Sequence, residues 1–186
     1  KLYQSILSYC RKYRITRLGV SLSGGVDSMV LLFILRQMVL RKELENIVAI
    51  HVDYHWRKES TDEALYLVHF CNNLGIDIIL RDITHFDSKV DKFIEITRET
   101  VEDETKKIRF NTYKFAIEKY DLHGICLGHH KDDLIENVFM NISKGKNLLN
   151  LFVTDEYSIQ NDVIILRPML SHNKIDIFEI AHTNSI

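Results

Sequence analysis

The sequence predicts an α/β domain with a doubly wound, mostly parallel five-stranded sheet in the order 3-2-1-4-5. Three observations predict it. Short apolar runs alternate with longer helical patterns along the whole chain, the rhythm of strands joined by right-handed crossovers. A Gly-Gly turn joins the first run to the first helix. An acidic cluster follows the fourth run, and this strand order would set it beside that turn.

The elements follow in order. Leu18-Gly19-Val20-Ser21-Leu22 is a short buried strand. The helix after it covers 26–40 and is apolar nearly all round in its first half. Residues 47–53 form the second strand, with Val48, Ile50 and Val52 in alternation. Ser60-Thr61-Asp62-Glu63 has capping-box spacing and opens a helix over 61–74. Gly75 stands where a left-handed C-cap is wanted, with Ile76 ready for the accompanying apolar contact. Residues 77–83 are the third strand. The polar, acidic stretch 84–103 is expected to be an excursion, a lid or an insertion. A helix over 104–120 carries Ile108, Tyr113, Phe115 and Ile117. The fourth strand is 124–128, followed by a helix over 132–143 that Gly145 ends. The fifth strand is 163–166, stopped by Pro168, and the last helix is 174–182. With no repeat and no linker, residues 1–186 are expected to be a single domain.

Hydrophobic residues at 46% and charged residues at 27% make an ordinary globular balance, enough to bury a core. A formal charge of -2 gives no support for a globally basic nucleic-acid binder and leaves room for a local basic face. Cys10, Cys71 and Cys126 form no close pair, which excludes a CxxC metal or redox site and argues against a disulfide framework. The expected compartment is therefore reducing: the cytoplasm, or an organelle, since a chain that begins at Lys1 does not settle targeting. The longest apolar run, Met29 to Leu35, is too short to span a bilayer, so no membrane partner is expected.

Ser23-Gly24-Gly25-Val26-Asp27-Ser28 lies between a buried strand and a buried helix. Two glycines let the backbone approach a bulky anion, and the helix start offers free N–H groups and a positive dipole end. Ser23 and Ser28 add hydroxyls. Asp27 should repel phosphate unless a divalent cation, Mg2+, sits between them. A bare Gly-Gly would suit an ordinary turn with Asp27 or Ser28 as a cap; the whole hexapeptide after a strand favours a phosphate site. Neither GxxxxGK[ST] nor GxGxxG is present.

In Gly128-His129-His130-Lys131-Asp132-Asp133-Leu134-Ile135-Glu136, three acids stand within one helical turn. Capping accounts for one acid at a helix start. Three can bind Mg2+ or grip a substrate amine. Adjacent histidines point differently and no cysteine is near, which disfavours zinc. A phosphate or leaving-group contact from His129 is the better expectation.

At these residues the chain resembles the PP-loop (N-type) ATP pyrophosphatases, with an adenine nucleotide alpha hydrolase-like, Rossmann-like fold. Within them it is most similar to the tRNA(Ile)-lysidine synthetase family. Ser23 to Ser28 matches SGGxDS. His51-Val52-Asp53-Tyr54-His55 with Arg57 and Glu59-Ser60 resembles HVDHGLRxES. Lys107-Ile108-Arg109-Phe110 resembles AREARY, and Gly128 to Glu136 resembles GHHxDDxxE. Lys144-Gly145 resembles the RG that follows, and Arg167-Pro168-Met169-Leu170 resembles RPLL. The resemblance implies a ligase that uses ATP and Mg2+. Such an enzyme adenylates C2 of a tRNA anticodon cytidine and lets free L-lysine displace AMP. It implies that Ser23, Gly24, Gly25, Val26, Asp27, Ser28, His51, Asp53 and His129 bind ATP or pyrophosphate. Asp27 and Asp132 would hold Mg2+, Asp133 and Glu136 the lysine ammonium, and Arg109 a carboxylate or phosphate. Asp27, Asp133, Glu136 and Arg109 are the expected catalytic set.

Departures from the pattern are Trp56, Asn137 and Asn147 to Asn150, and they bear on the acceptor more than on ATP use. Ile186 falls before the C-terminal tRNA-binding parts expected of the family, so the chain is expected to be its catalytic domain or a short divergent member. Arg57, Lys58, Lys106, Lys107, Lys144 and Lys146 are candidates for RNA contact. Thiolation of tRNA and another PP-loop amidation are alternative reactions, and a non-catalytic adenine-nucleotide-binding module is the alternative of another class. Oligomeric state stays open, a dimer included.

Overall fold

The computed structural model describes residues 1–83, 98–143 and 155–186. One sheet has the order β3-β2-β1-β4-β6-β5. β1 (Arg17–Ser21), β2 (Asn46–Asp53), β3 (Asp77–Asp82), β4 (Gly124–Cys126) and β6 (Val163–Leu166) pair in parallel. The predicted 3-2-1-4-5 order is the parallel part of this sheet. One antiparallel strand, β5 (Tyr157–Gln160), is added beyond β6. The turn between them, Asn161-Asp162, has both residues at positive φ, 48° and 62°. That backbone twist suits a two-residue hairpin.

Alternate strand residues feed two cores. Ile47, Ala49, Cys126 and Leu166 face one, with α1 (Leu2–Lys12), α2 (Val26–Leu40), α3 (Ser60–Leu74) and α6 (Lys174–Asn184). Val48, Ile50, Ile125 and Ile165 face the other, which α4 (Arg98–Tyr120) closes with Phe110, Tyr113 and Ala116. The apolar character of α2 is explained by this: eight of its residues, from Ser28 to Met38, are buried. α5 (Lys131–Ser143) follows β4.

Three expectations need correction. The sequence reading lacks α1, although Leu2, Ile6, Tyr9 and Cys10 have helical spacing and are all buried. Residues 98–103, expected in an excursion, are the first turns of α4; 84–97 lie outside the described residues, as do Gly145, Lys144, Lys146 and Asn147 to Asn150. The capping box does not form, because Ser60 is already inside α3. Its Oγ is buried without a partner, and Glu63 turns instead to Arg57 at 2.7 Å. At the other end Gly75 is left-handed (φ 64°, ψ 41°) and Ile76 is buried, as expected.

Candidate active site

β1, β2 and β4 are parallel neighbours, so the loops after them leave the same edge of the sheet. After β1 the Leu22 N–H donates to the Ile50 carbonyl at 2.8 Å, and the chain then turns at Gly24, φ +84°. A side chain there would be strained. Gly25 is the N-cap of α2, extended and without a side-chain cap. The first N–H groups of α2 are therefore open to an anion. The Ser28 hydroxyl donates to the Gly25 carbonyl (2.9 Å) and accepts from the Ser23 N–H (3.2 Å). Ser23 Oγ accepts from the Gly25 N–H at 3.3 Å. Ser28 thus spends its one proton on the Gly25 carbonyl, and the exposed Ser23 hydroxyl donates to Ser28 Oγ at 3.1 Å, so the two serines hold the loop's shape.

The two motifs meet through backbone. A Cβ on Gly128 would lie 2.9 Å from Ser28 N and 3.1 Å from both Asp27 C and Ser28 Cα. Only glycine lets the segment after β4 press this closely on the start of α2.

His130 sits at this junction and is 2% exposed. The Asp132 N–H donates to its Nδ1 at 3.2 Å, so in the neutral ring the proton is on Nε2. Nε2 lies 3.6 Å from Asp27 Oδ1 and 3.6 Å from Asp133 Oδ2. Both distances exceed hydrogen-bond reach, and Asp27 Oδ1 and His130 Nε2 are buried without partners. Asp133 Oδ2 also accepts the His130 N–H at 2.8 Å. Asp27 and Asp133 therefore flank one imidazole.

The other two acids are placed differently. Asp132 Oδ2 accepts the Lys174 N–H at 3.2 Å, at the start of α6. It lines neither of the two cavities described below; the acid that shares Asp27's surroundings is Asp133. Glu136 is one turn beyond Asp133, exposed, and also outside both cavities.

Asp27, Asp133, Ser23 and Gly128 line a cleft of about 360 Å³. α4 supplies its opposite wall with Lys106, Arg109, Phe110 and Tyr113, at helical spacing along one face. Tyr113 donates to Ser21 Oγ at 2.7 Å, tying α4 to β1. Arg167, 5% exposed, closes the far side. Its Nη1 donates to the Asp155 carbonyl (2.8 Å) and Ser158 Oγ (3.0 Å), and its Nε donates to His129 Nδ1 at 3.2 Å. With Nδ1 accepting, the neutral His129 ring carries its proton on Nε2. His129 is open to the cleft, yet the protein packed around it, and next the Arg167 guanidinium, lowers its pKa. It is a neutral N–H donor at pH 7.

A second cavity, of about 240 Å³, shares Ser21, Ser23 and Arg109 with the cleft and adds His51, Asp53, Tyr54 and Trp56. The His51 Nδ1–H donates to the Leu22 carbonyl at 2.7 Å, leaving Nε2 as an acceptor. Asp53, 3% exposed, accepts the His55 N–H at 2.9 Å and braces the turn after β2.

Arg167 and Tyr113 are cleft residues absent from the predicted set, and Lys106, expected as an RNA contact, lines the cleft. An arginine directly after a buried strand and before Pro168 was the visible signal for the first. Of the expected RNA contacts, Arg57 pairs with Glu63 and Lys107 with Glu104. Among the described residues, no three His, Cys, Asp or Glu side chains stand close enough to hold a metal by themselves.

A glycine turn and open helix N-terminus at the end of β1, pressed by a glycine from the end of β4, form the arrangement of an α/β domain suited to a nucleotide's phosphates. The chain belongs to the PP-loop domain family, whose model matches residues 1–186. It is 31% identical over 170 residues to the tRNA(Ile)-lysidine synthase of Chlamydia pneumoniae, covering 90% of this chain and 48% of that protein. It is 37% identical over 126 residues to the tRNA(Ile)-lysidine synthase of Nitratidesulfovibrio vulgaris, covering 68% of this chain and 35% of that protein. The chain thus spans half the length of these relatives or less. A U34-tRNA thiolase of Methanococcus maripaludis shares the fold at TM-score 0.76 and 18% identity, over 99% of this chain and 62% of that one. An NH3-dependent NAD synthetase of Campylobacter jejuni does so at 0.63 and 16%, over 100% and 71%.

Proposed function

We propose that this chain is the ATP-using domain of a tRNA-modifying ligase that joins free lysine to an anticodon cytidine. The observation that carries the reading is the Gly128 contact, which sets an open helix N-terminus beside Asp133, His129 and Arg167 in one cleft. An anion cradle next to a carboxylate suits a triphosphate and an amine co-substrate together.

In this reading the cytidine C2 oxygen attacks the α-phosphorus of ATP, the bond to the bridging oxygen breaks, and pyrophosphate leaves. The α2 N–H groups, Lys106, Arg109 and the His129 Nε2–H take up its charge, which is electrostatic rather than proton-transfer catalysis. The lysine side-chain amine, its proton given up to solvent, then forms a bond to C2, the C2–O bond breaks, AMP leaves with that oxygen, and a second proton leaves the new nitrogen. Asp133 holds the ammonium near the cleft, with Glu136 one turn further out, and Arg109 takes a carboxylate or phosphate. Ser23, Gly24, Gly25, Val26 and Ser28 form the cradle, and His51 and Asp53 the wall of the neighbouring cavity.

The residues fit a divalent cation. A buried carboxylate oxygen without a partner, Asp27 Oδ1, is a group that a cation satisfies. Asp27 would hold Mg2+, whereas Asp132, drawn to the start of α6, lies outside the cleft. When bound, Mg2+ supplies neutralisation of triphosphate charge.

A thiolation reading would want a thiol at the cleft, but Cys10, Cys71 and Cys126 are all buried and none lines either cavity. No helix among the described residues is long and apolar enough to cross a membrane; the reading places the protein with tRNA, in cytoplasm or organelle. The test is pyrophosphate and AMP release from ATP with tRNA and lysine added singly and together. No tRNA-dependent pyrophosphate would overturn the reading. Pyrophosphate without lysine-dependent AMP release would remove lysine as the acceptor.

A further inference from the structure

Trp56 is the one tryptophan of the chain, and it is 67% exposed. Its indole stacks on Tyr54, with ring centroids 4.9 Å apart and planes 21° from parallel. Tyr54 covers one face of the indole, and the exposure requires the other to be open.

The ring pair is braced. The Tyr54 hydroxyl donates to the Thr105 carbonyl on α4 at 3.3 Å. Between the two rings, His55 is held left-handed at φ 52°. Its N–H goes to Asp53 Oδ1 (2.9 Å) and its Nε2 to Asp82 Oδ1 (2.7 Å). A large apolar surface fixed in water this way favours a ligand with a flat apolar face. Trp56 lies at the rim of the 240 Å³ cavity, whose inner lining includes the buried His51 and Asp53. Arg57, ion-paired with Glu63, and Lys58 follow it directly, and an aromatic ring beside a basic side chain such as Lys58 is the equipment for an unpaired nucleotide, base stacked and phosphate attracted.

We propose that the open face of Trp56 is a stacking platform for an unpaired base of the RNA substrate, at the rim of the site where the reacting base enters. This rests on the tRNA reading above. It assigns the RNA's approach to the β2–α3 side of the domain, across Arg109 from the phosphate cleft. The rim position favours an RNA base over the adenine of ATP, whose phosphates would tether it deeper, toward the loop.

Tryptophan emission of the 186-residue chain reports this residue alone. The chain is titrated with an unmodified tRNA transcript, with a short single-stranded RNA and with ATP. Trp56→Ala and Trp56→Phe are assayed for tRNA-dependent pyrophosphate release; so exposed a side chain can be changed without loss of the fold. RNA should quench the emission saturably and ATP alone should not. Trp56→Ala should raise KM for tRNA by roughly 5- to 150-fold, the range for one stacked base, with KM for ATP unchanged and Phe restoring most of the loss. Quenching by ATP with a raised KM for ATP would overturn the proposal in favour of adenine. No quenching by RNA, with KM for tRNA unchanged, would overturn it outright. Should the chain release no tRNA-dependent pyrophosphate, the ligase reading fails, and the RNA quench, which needs no turnover, still decides the platform.

Discussion

Gly128→Ala tests the contact on which the site depends. The new Cβ would meet Ser28 N at 2.9 Å, short of ordinary contact by roughly 0.5 Å. Its three nearest atoms are all backbone, so no side-chain tip can swing aside. The segment after β4 or the start of α2 must move by about that amount. Such overpacking costs about 1–3 kcal/mol, a fall in Tm of about 2–12 °C for a chain of this size. Misplacement by about 1 Å costs on the order of 100-fold at a site that works by positioning, so half of that should weaken ATP binding about tenfold. The assay is calorimetric titration with ATP and Mg2+ beside a thermal melt. Gly19→Ala is the control. Its Cβ would meet the tips of Ile125 and Ile50, at 2.6 and 3.0 Å, within the core. It should lower Tm and leave ATP affinity alone. Wild-type ATP affinity in Gly128→Ala, or parallel losses in both variants, would refute the reasoning.

Asp27→Asn should remove most Mg2+-dependent pyrophosphate release with little loss of stability, since Oδ1 of the carboxylate is buried without a hydrogen bond; a melt run beside the release assay checks the split, and unchanged release would sink the loop assignment. Arg167→Lys keeps a charge but loses the fork that joins Asp155, Ser158 and His129, so it should lower kcat about 10-fold or more at an unchanged fold, measured by steady-state release and circular dichroism. Burial depresses the pKa of both His129 and His172, so the folded state binds fewer protons than the unfolded one. Stability should therefore fall as pH drops below the ordinary histidine value near ~6.5, and His129→Gln should flatten the fall in denaturant midpoints; an unaltered slope would deny the depressed pKa. Glu136→Gln should raise the lysine requirement while sparing adenylation in single-turnover experiments, and equal loss of both steps would point to a Mg2+ ligand instead.

The parts of the molecule set by local chemistry were legible in the sequence. The boundaries of α2 and the αL cap at Gly75 follow from apolar runs and from glycine's freedom, and they stand where expected. Parallel order was legible because helix-length connections leave few topologies. The antiparallel β5 was harder to see, since Asn161-Asp162 lacks the glycine that usually marks a two-residue hairpin, although both residues take positive φ. Within the acidic cluster, spacing alone showed three acids on one helix turn. It could not show that the start of α6 would draw Asp132 away, because that partner lies 42 residues on in sequence. The cleft positions of Arg167 and of Lys106, the latter expected only as an RNA contact, were hidden for the same reason: they depend on which sheet edge and helix face the fold brings to the cleft.

The division of charge in the cleft follows from which elements carry it. Lys106 and Arg109 come from α4 on one face of the sheet, whereas Asp27 and Asp133 come from the starts of α2 and α5, joined through His130. The Asp132 N–H occupies Nδ1 of that ring, so only an Nε2–H can be turned toward the two acids, and at 3.6 Å it satisfies neither. An acid oxygen left unpartnered in protein is destabilising by about 1–3 kcal/mol unless something arrives to meet it. A cation at Asp27 would remove that penalty and, in the same act, offset the repulsion between the two acids and a triphosphate on the α2 N-terminus. The same two carboxylates that oppose ATP in an empty cleft then favour it once the cation is present. On the proposed function, ATP affinity and divalent-cation affinity at this site should therefore be coupled, each strengthening the other by an equal factor, and an ATP affinity that calorimetry finds independent of Mg2+ would refute it.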